Sequence, residues 1–205
     1  ADMEGVTPVE TTGQVRWFKR PTPGMTYMVS LDPAMGTGGD YAAIQVFELP
    51  TFEQVGEWHH NTTPMNQQIR ILQGINKHIY DTIMEQDASA SPQIFYSMEN
   101  NTIGEAALLR VMDIGEENIQ GMFLSEPIRK GHRRKFRRGF NTTAKFKIDA
   151  CTKFKELIEG GKMKINSQLL ISELKDFVAS GLSFKAKPGQ HDDLVSACLL
   201  MTRMM

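Results

Sequence analysis

Two short apolar runs, separated by a stretch rich in Gly and Pro, constrain the fold more than any other feature. Residues 26–32 (TYMVSLD) and 41–47 (YAAIQVF) flank the sequence PAMGTGGD. Runs of this kind, bounded by Gly, Pro and Asp, are typical of two strands joined in a hairpin. The first strand ends at Asp32, whose carboxylate would be costly to bury beside a sheet unless a positive charge lay over it. The sequence therefore predicts a hairpin with a positively charged group near Asp32.

The rest of the chain alternates predicted strands and helices. Further strands are predicted at residues 54–60, 94–98 and 121–124. Apolar residues recur at helical spacing in five other segments, which cover residues 69–85, 102–115, 143–160, 169–178 and 192–205. This order predicts an α/β fold in which a mixed sheet carries helices on both faces.

Length and composition fit a single domain. A chain of 205 residues, of which 40% are hydrophobic and 23% charged, can bury a core. We expect residues 1–25 to form a polar lead-in linker that lies against the domain through Trp17 and Phe18, and residues 26–205 to form the domain. No apolar run approaches the roughly 20 residues of a membrane span. The chain also has no charged-then-apolar N-terminal signal and starts at Ala1-Asp2-Met3, so we expect a cytoplasmic protein with no membrane partner, excised from a longer chain.

Two cysteines and an uneven charge distribution narrow the functional classes. Cys151 and Cys198 lie in helical patterns, so we expect reduced core thiols and neither a disulfide nor a thiolate zinc site. The net charge is −1, yet one short segment concentrates basic residues: Arg129, Lys130, Arg133, Arg134, Lys135, Arg137 and Arg138. Such density binds phosphate groups, and Lys145 and Lys147 would continue the track along a duplex backbone. The alternative is a solvated run of charge without a ligand.

Acidic residues at three places have the pattern of a divalent-metal site. Asp32 and Glu99 each end a predicted strand, and Asp192 and Asp193 open the last predicted helix. If the two strands are adjacent and parallel, Asp32 and Glu99 meet at the same edge of the sheet. Carboxylates from separate elements suit Mg²⁺, and paired ions about 3.5–4 Å apart catalyse phosphodiester hydrolysis. We therefore predict metal-dependent cleavage of nucleic acid, with Asp32 bridging two ions.

Each of these acids also has a purely structural interpretation. Glu99 could be a solvated strand end or a cap for the next helix, and Asp192 and Asp193 suit the first turn of a helix. Adjacent helical residues diverge by about 100°, so only one of the two aspartates is expected to be a primary ligand. We favour Asp192 and keep Asp193 open. Asp40 could approach the same ions from the turn as a further ligand.

Four short motifs, taken in order, resemble one protein family. They are SLDP at 30–33 with its Gly-rich turn, ENN at 99–101, GFNTT at 139–143 and HDDLVSA at 191–197. Together they resemble the C-terminal nuclease domain of the large terminase subunit of tailed bacteriophages, most closely the T-even type. The likeness covers residues 26–205. It implies a ribonuclease H-like fold of the resolvase and integrase type, which the predicted order of strands and helices fits.

The resemblance also implies a function. It implies a metal-dependent endonuclease that cuts concatemeric viral double-stranded DNA with little sequence specificity during genome packaging. The catalytic acids would be Asp32, Glu99 and one of Asp192 or Asp193, with two Mg²⁺ or Mn²⁺ ions as cofactors. Implied partners are double-stranded DNA, the N-terminal ATPase domain of the same full-length protein, the portal and the small terminase subunit. The implied location is the host cytoplasm and, transiently, the portal of the viral prohead.

One activity is not expected of this chain, and two rival functions stay open. The chain lacks the Gly-Lys-Ser/Thr ending of a phosphate-binding loop, so we expect no ATP hydrolysis by this polypeptide. One rival function is a structure-selective Holliday-junction resolvase, which a preference for four-way junctions would support. The other is a non-catalytic DNA-binding or motor-docking module, which an absence of divalent-cation binding would support.

Overall fold

The predicted hairpin lies at the centre of a seven-stranded sheet. The computed structural model describes residues 3–100, 102–126, 139–179 and 193–205. Its strands are β1 (Glu10–Thr12), β2 (Val15–Trp17), β3 (Thr26–Asp32), β4 (Ala42–Leu49), β5 (Glu53–His60), β6 (Gln93–Met98) and β7 (Met122–Phe123). Its helices are α1 (Met65–Gln86), α2 (Thr102–Ile114), α3 (Ala144–Glu159), α4 (Gln168–Ala179) and α5 (Asp193–Met204), with a 3₁₀ turn at Glu116–Asn118.

The sheet is mixed, and its order is β1-β2-β5-β4-β3-β6-β7. In this order, the neighbouring strands β1, β2, β5, β4 and β3 pair antiparallel. Strand β3 pairs with β6, and β6 with β7, in parallel. Helix α1 supplies the crossover that a parallel β3–β6 pair requires. The predicted α/β fold with a mixed sheet is confirmed.

Helices cover both faces of the sheet, as predicted. Alternate residues of β3 divide between two cores, because successive side chains of a strand point to opposite faces. Tyr27, Val29 and Leu31 join the core beneath α1 and α2. Met28 joins the core beneath α3, α4 and α5, and Ser30 Oγ donates to the carbonyl oxygen of Ala197 in α5 at 2.7 Å. We call this second side the α5 face.

The segment predicted as a lead-in linker contributes two strands to the sheet. Strand β2 pairs with β5 through Arg16 and Trp17, and β1 pairs with β2 at the sheet edge. Trp17 and Phe18 are buried, in keeping with a segment that lies against the domain. The division of the chain at residue 25 stays a prediction.

Two expectations from composition can be compared with the described residues. Cys151 and Cys198 are free and buried, as predicted for core thiols, and burial raises the pKa of both. In the described part of the chain, no helix has both the length and the apolar character of a membrane span.

A buried polar network joins the N-terminal strands to the α5 face. The Glu57 carboxylate is fully buried and accepts hydrogen bonds from four side chains on four different elements or loops: Arg16, Gln45, Gln54 and Ser167. Each partner is itself fixed by the sheet or, for Ser167, by the loop that starts α4. Because the charge has full hydrogen bonding, it is tolerated inside the fold.

We expect Glu57→Ala to destabilise the fold by about 3 kcal/mol or more, because the substitution leaves several buried donors without an acceptor. Urea unfolding monitored by tryptophan fluorescence measures this change. Lys77→Ala is the control, since it removes only an exposed pair with Asp81 and should change stability by about 0.5 kcal/mol or less. A Glu57→Ala protein as stable as the control variant would contradict this account of the network.

Candidate metal centre

Two of the predicted site residues end neighbouring parallel strands. Leu31 pairs with Met98 in the β3–β6 ladder, and the backbone N–H of Glu99 donates to the carbonyl oxygen of Leu31 at 3.0 Å. Asp32 and Glu99 are therefore the next residues along the two strands. Asp32 lies two residues after Ser30, so both side chains belong to the α5 face. The predicted adjacency of the two strands is confirmed.

Three aspartates line one cavity at this edge of the sheet. Asp32, Asp40 and Asp193 surround a volume of about 370 Å³, together with residues of the Gly-rich turn, Tyr41 and Ile103. Asp32 comes from the end of β3, Asp40 from the turn before β4, and Asp193 from the first position of α5. The cavity thus gathers carboxylates from sequence positions up to 161 residues apart.

The three cavity aspartates line the same space but do not form a closed set of metal ligands. Within residues 3–100, 102–126, 139–179 and 193–205, no three His, Cys, Asp or Glu side chains lie close enough together to hold a metal ion. Asp192 and His191 lie outside the described residues, so the favoured ligand Asp192 stays a prediction. The described carboxylates provide the oxygen ligands that Mg²⁺ and Mn²⁺ prefer, so the chemistry of the donors suits such an ion.

Glu99 is held by a residue of the GFNTT motif rather than lying against the cavity. The backbone N–H of Thr142 donates to Glu99 Oε1 at 2.5 Å, and the Thr142 hydroxyl donates to Oε2 at 2.7 Å. Burial raises the pKa of Glu99, and the nearby Glu126 carboxylate acts in the same direction. The Thr142 hydrogen bonds and the charge of Arg203 oppose this rise without cancelling it.

Arg203, in the last turn of α5, contacts Thr142, an acidic side chain and two aromatic rings. Its guanidinium forms an ion pair with Glu126 at 3.0 Å and donates to Thr142 Oγ1 at 3.2 Å. The same group lies over the rings of Phe140 and Phe146, at 5.2 and 4.4 Å from their centres. Sequence reasoning assigned no role to Arg203, because a lone Arg near the end of an apolar helix carries no local signal of these contacts.

A second residue that sequence reasoning missed, Glu173, lies at the start of α5 beside Asp193. Glu173 Oε1, from α4, accepts hydrogen bonds from the backbone N–H groups of Leu194 and Val195 at 3.1 and 3.4 Å. It thus satisfies donors that the first turn of α5 leaves open. Burial, with the charges of Asp193 and Glu57, raises the pKa of Glu173 to about 8.

The basic residues predicted to bind DNA are only partly described. Arg129, Lys130, Arg133, Arg134, Lys135, Arg137 and Arg138 lie outside the described residues. Lys145 and Lys147 lie in the first turn of α3, where Thr143 Oγ1 accepts from the N–H of Phe146. They lie three and five residues after Thr142, the residue that holds Glu99.

A larger groove of about 760 Å³ lies on the other side of the sheet, between α1 and α2. Its charged residues include Lys77 and Arg110, which pair with Asp81 and Asp113 on their own helices. Both acids of the groove are thus paired with a basic residue on their own helix, and neither lies at the end of a strand as Asp32 does.

Comparison with known proteins gives one family and a set of similar folds. The family described as the terminase RNaseH-like domain matches residues 29–204. The large terminase nuclease from thermophilic phage G20c, solved with bound magnesium, matches with a TM-score of 0.69 and 17% sequence identity. The match covers 97% of this chain and 91% of the G20c chain. Other crystals of that nuclease contain cobalt or zinc.

Two further structures extend the similarity. The Thermus phage P74-26 large terminase nuclease domain has a TM-score of 0.64 and 18% identity, over 96% of this chain and 88% of its own. The Mn-soaked terminase nuclease domain of human cytomegalovirus has a TM-score of 0.58 and 16% identity, over 86% of this chain and 81% of its own. At these identities the matches establish the fold.

The raised pKa of Glu173 generates a prediction about stability in the absence of metal. A carboxyl group whose pKa is about 8 in the folded state and 4.5 in its reference state stabilises the fold most at low pH, and this contribution is lost as pH rises from about 4.5 to 8. Glu173→Gln cannot ionise but keeps a hydrogen-bond acceptor. We therefore expect its stability, relative to the wild type, to increase between pH 5.5 and pH 8.5.

Urea unfolding in EDTA at both pH values measures the difference. Ser172→Ala, on the preceding residue of α4, alters no titrating group, so its stability should follow that of the wild type. If the stabilities of the Glu173→Gln and wild-type proteins change in parallel with pH, the environment assigned to Glu173 is wrong.

Proposed function

This chain belongs to the terminase RNaseH-like domain family, and we propose that it is a divalent-metal-dependent endonuclease that cuts double-stranded DNA during viral genome packaging. One observation carries the proposal. Asp32 and Glu99 end adjacent parallel strands, and Asp193, the first residue of α5, lines a cavity with Asp32. If each acid had only a structural role in its own element, there would be no reason for three separate elements to bring acids to the same edge of the sheet.

We assign the proposed ligand roles residue by residue. Asp32 and Asp193 are the primary candidates, because both line the same cavity. Glu99 completes the set from the neighbouring strand, and Asp40 is a further candidate from the turn. Asp193 is the candidate from α5 because it lines the cavity with Asp32, and Asp192, the ligand favoured from the sequence, stays a candidate beside it.

The proposed cofactor is Mg²⁺ or Mn²⁺, with two ions. When bound, such ions supply a water nucleophile at neutral pH and stabilise the departing oxygen of the phosphodiester. The magnesium and manganese in related nuclease structures support a divalent cation of this kind. The role of the chain is to hold carboxylate oxygens at the edge of a rigid sheet.

The proposed substrate contact is with the DNA backbone. Lys145 and Lys147 lie three and five residues after Thr142, and residues 129–138 precede the same segment in the chain. Basic side chains that bind phosphates position a duplex without reading its sequence, so we propose little sequence specificity. The ATPase domain of a full-length terminase, the portal and the small terminase subunit are proposed as partners at the prohead.

Asp32→Asn should lower plasmid nicking in Mg²⁺ by at least about 100-fold, because several kcal/mol of catalysis by the metal ions depends on that carboxylate. Supercoiled plasmid relaxation measures the rate, and gel shift in EDTA measures DNA affinity, which should be unchanged. Asp113→Asn, on the exposed surface of α2, is the matched control and should cut at the wild-type rate. Wild-type nicking by Asp32→Asn would remove the residue from the catalytic site.

Replacing Arg133, Arg134, Arg137 and Arg138 together by Gln should weaken DNA binding and flatten its dependence on salt. Each lost phosphate contact reduces the slope of log affinity against log salt by about 0.9, so four contacts account for about 3 to 4. Fluorescence anisotropy with a labelled duplex at several salt concentrations gives the slope. Removing Lys77 and Arg110, on the far face, should leave it unchanged, and an unaltered slope in the quadruple variant would refute the assignment.

A further inference from the structure

We propose that Thr142 is the positioning residue for Glu99 and that Arg203 fixes Thr142 in turn. This inference rests on the proposed function, in which Glu99 is a metal ligand. Both oxygens of Glu99 accept hydrogen bonds from the same residue, one from the backbone N–H of Thr142 and one from its hydroxyl. Two bonds from one residue fix the direction of the carboxylate as well as its location.

The two hydrogen bonds leave Glu99 able to bind a cation. Each oxygen of an ionised carboxylate has two lone pairs, and Thr142 uses one on each oxygen. Carboxylates that ligate metals are commonly held by hydrogen bonds of this kind, and their loss typically weakens metal binding about 10- to 100-fold. Thr142 thus has the geometry of a supporting donor rather than of a competitor for the ligand.

The backbone around Thr142 is fixed against the end of β6. Phe140 N–H donates to the carbonyl oxygen of Met98 at 3.1 Å, and Asn100 N–H donates to the carbonyl oxygen of Phe140 at 2.7 Å. Gly139 makes this approach possible, since its φ is +79° and a Cβ there would lie 2.6 Å from the Met98 carbonyl oxygen. The segment from Gly139 to Thr142 therefore extends the sheet edge where Glu99 lies.

Arg203 determines which way the Thr142 hydroxyl points. A guanidinium can only donate, so the contact at 3.2 Å uses a lone pair of Oγ1 and leaves the hydroxyl hydrogen for Glu99. The ion pair with Glu126 and the two aromatic rings hold the guanidinium in place. Helix α5 therefore provides Asp193 at its first residue and, in its last turn, the cation that orients the support of Glu99.

The test measures Mn²⁺ affinity by isothermal titration calorimetry on the whole chain, without DNA. Thr142→Val keeps the shape and the backbone donor but loses the hydroxyl, and we expect it to bind Mn²⁺ about 10- to 100-fold more weakly. Thr142→Ser restores the hydroxyl and should recover wild-type affinity within a few-fold. Thr142→Ala is measured alongside and should match the valine variant, so the test does not depend on one variant folding.

A second readout separates positioning from a simple structural role. In Mg²⁺, Thr142→Val should lower kcat for plasmid nicking and leave KM for DNA near the wild-type value. Loss of thermal stability with wild-type Mn²⁺ affinity and kcat would show that Thr142 only ties a loop to the sheet, and would overturn the inference.

Glu99→Gln distinguishes failure of this inference from failure of the proposed metal site. If Glu99→Gln binds Mn²⁺ as tightly as the wild type, Glu99 is not a ligand, and its place in the proposed site fails together with the role of Thr142. If Glu99→Gln weakens binding but the Thr142 variants do not, the metal site stands and only the positioning role is wrong. Arg203→Lys keeps the charge without the planar fork and should weaken Mn²⁺ binding in the same direction as Thr142→Val.

Discussion

The parallel pairing of β3 with β6 is the constraint on which the candidate site depends. Parallel strands place their carboxyl ends at the same edge of a sheet, so one ladder brings Asp32 beside Glu99 although 66 residues separate them in the chain. An antiparallel pairing would put the two acids at opposite edges. Helix α1 enforces the parallel direction because it returns the chain to the start of β6.

Helix α5 adds the third element and links two regions of the site. It packs across β3 and β4 on the face that carries Ser30 and Asp32, and Ser30 bonds directly to its backbone. This packing places its first residue, Asp193, at the cavity, while Arg203 in its last turn meets Thr142. Helix α5 thereby positions Asp193 directly and Glu99 through Thr142. The helix is apolar because it is buried against the sheet, and the polar residues at its two ends, Asp193 and Arg203, contact the candidate site.

Most of the fold could be predicted from the sequence, and most of the supporting contacts could not. The hairpin, the strand ending at Met98 and the helices follow from apolar periodicity, which is a local property. Strands β1 and β2 depend on the packing of Trp17 and on the buried partner of Arg16, neither of which a short polar segment reveals. Likewise, the bond from Thr142 to Glu99 spans 43 residues, and the cap from Glu173 to Leu194 spans 21. Contacts of this range depend on tertiary geometry and leave no pattern in neighbouring residues.

Burial and neighbouring carboxylates oppose the ionisation of two acidic side chains on the α5 face. Asp32, Asp40 and Asp193 share a cavity, and the charges of Asp193 and Glu57 both oppose ionisation of Glu173. Glu99 is similarly disfavoured by burial and by Glu126. Carboxylates that repel one another in this way bind protons or cations, and a ligand that binds only the folded state stabilises it. A bound cation would relieve the opposition to ionisation at Glu99 and Glu173, so these surroundings favour cation binding at this edge, which is the property that the proposed chemistry requires.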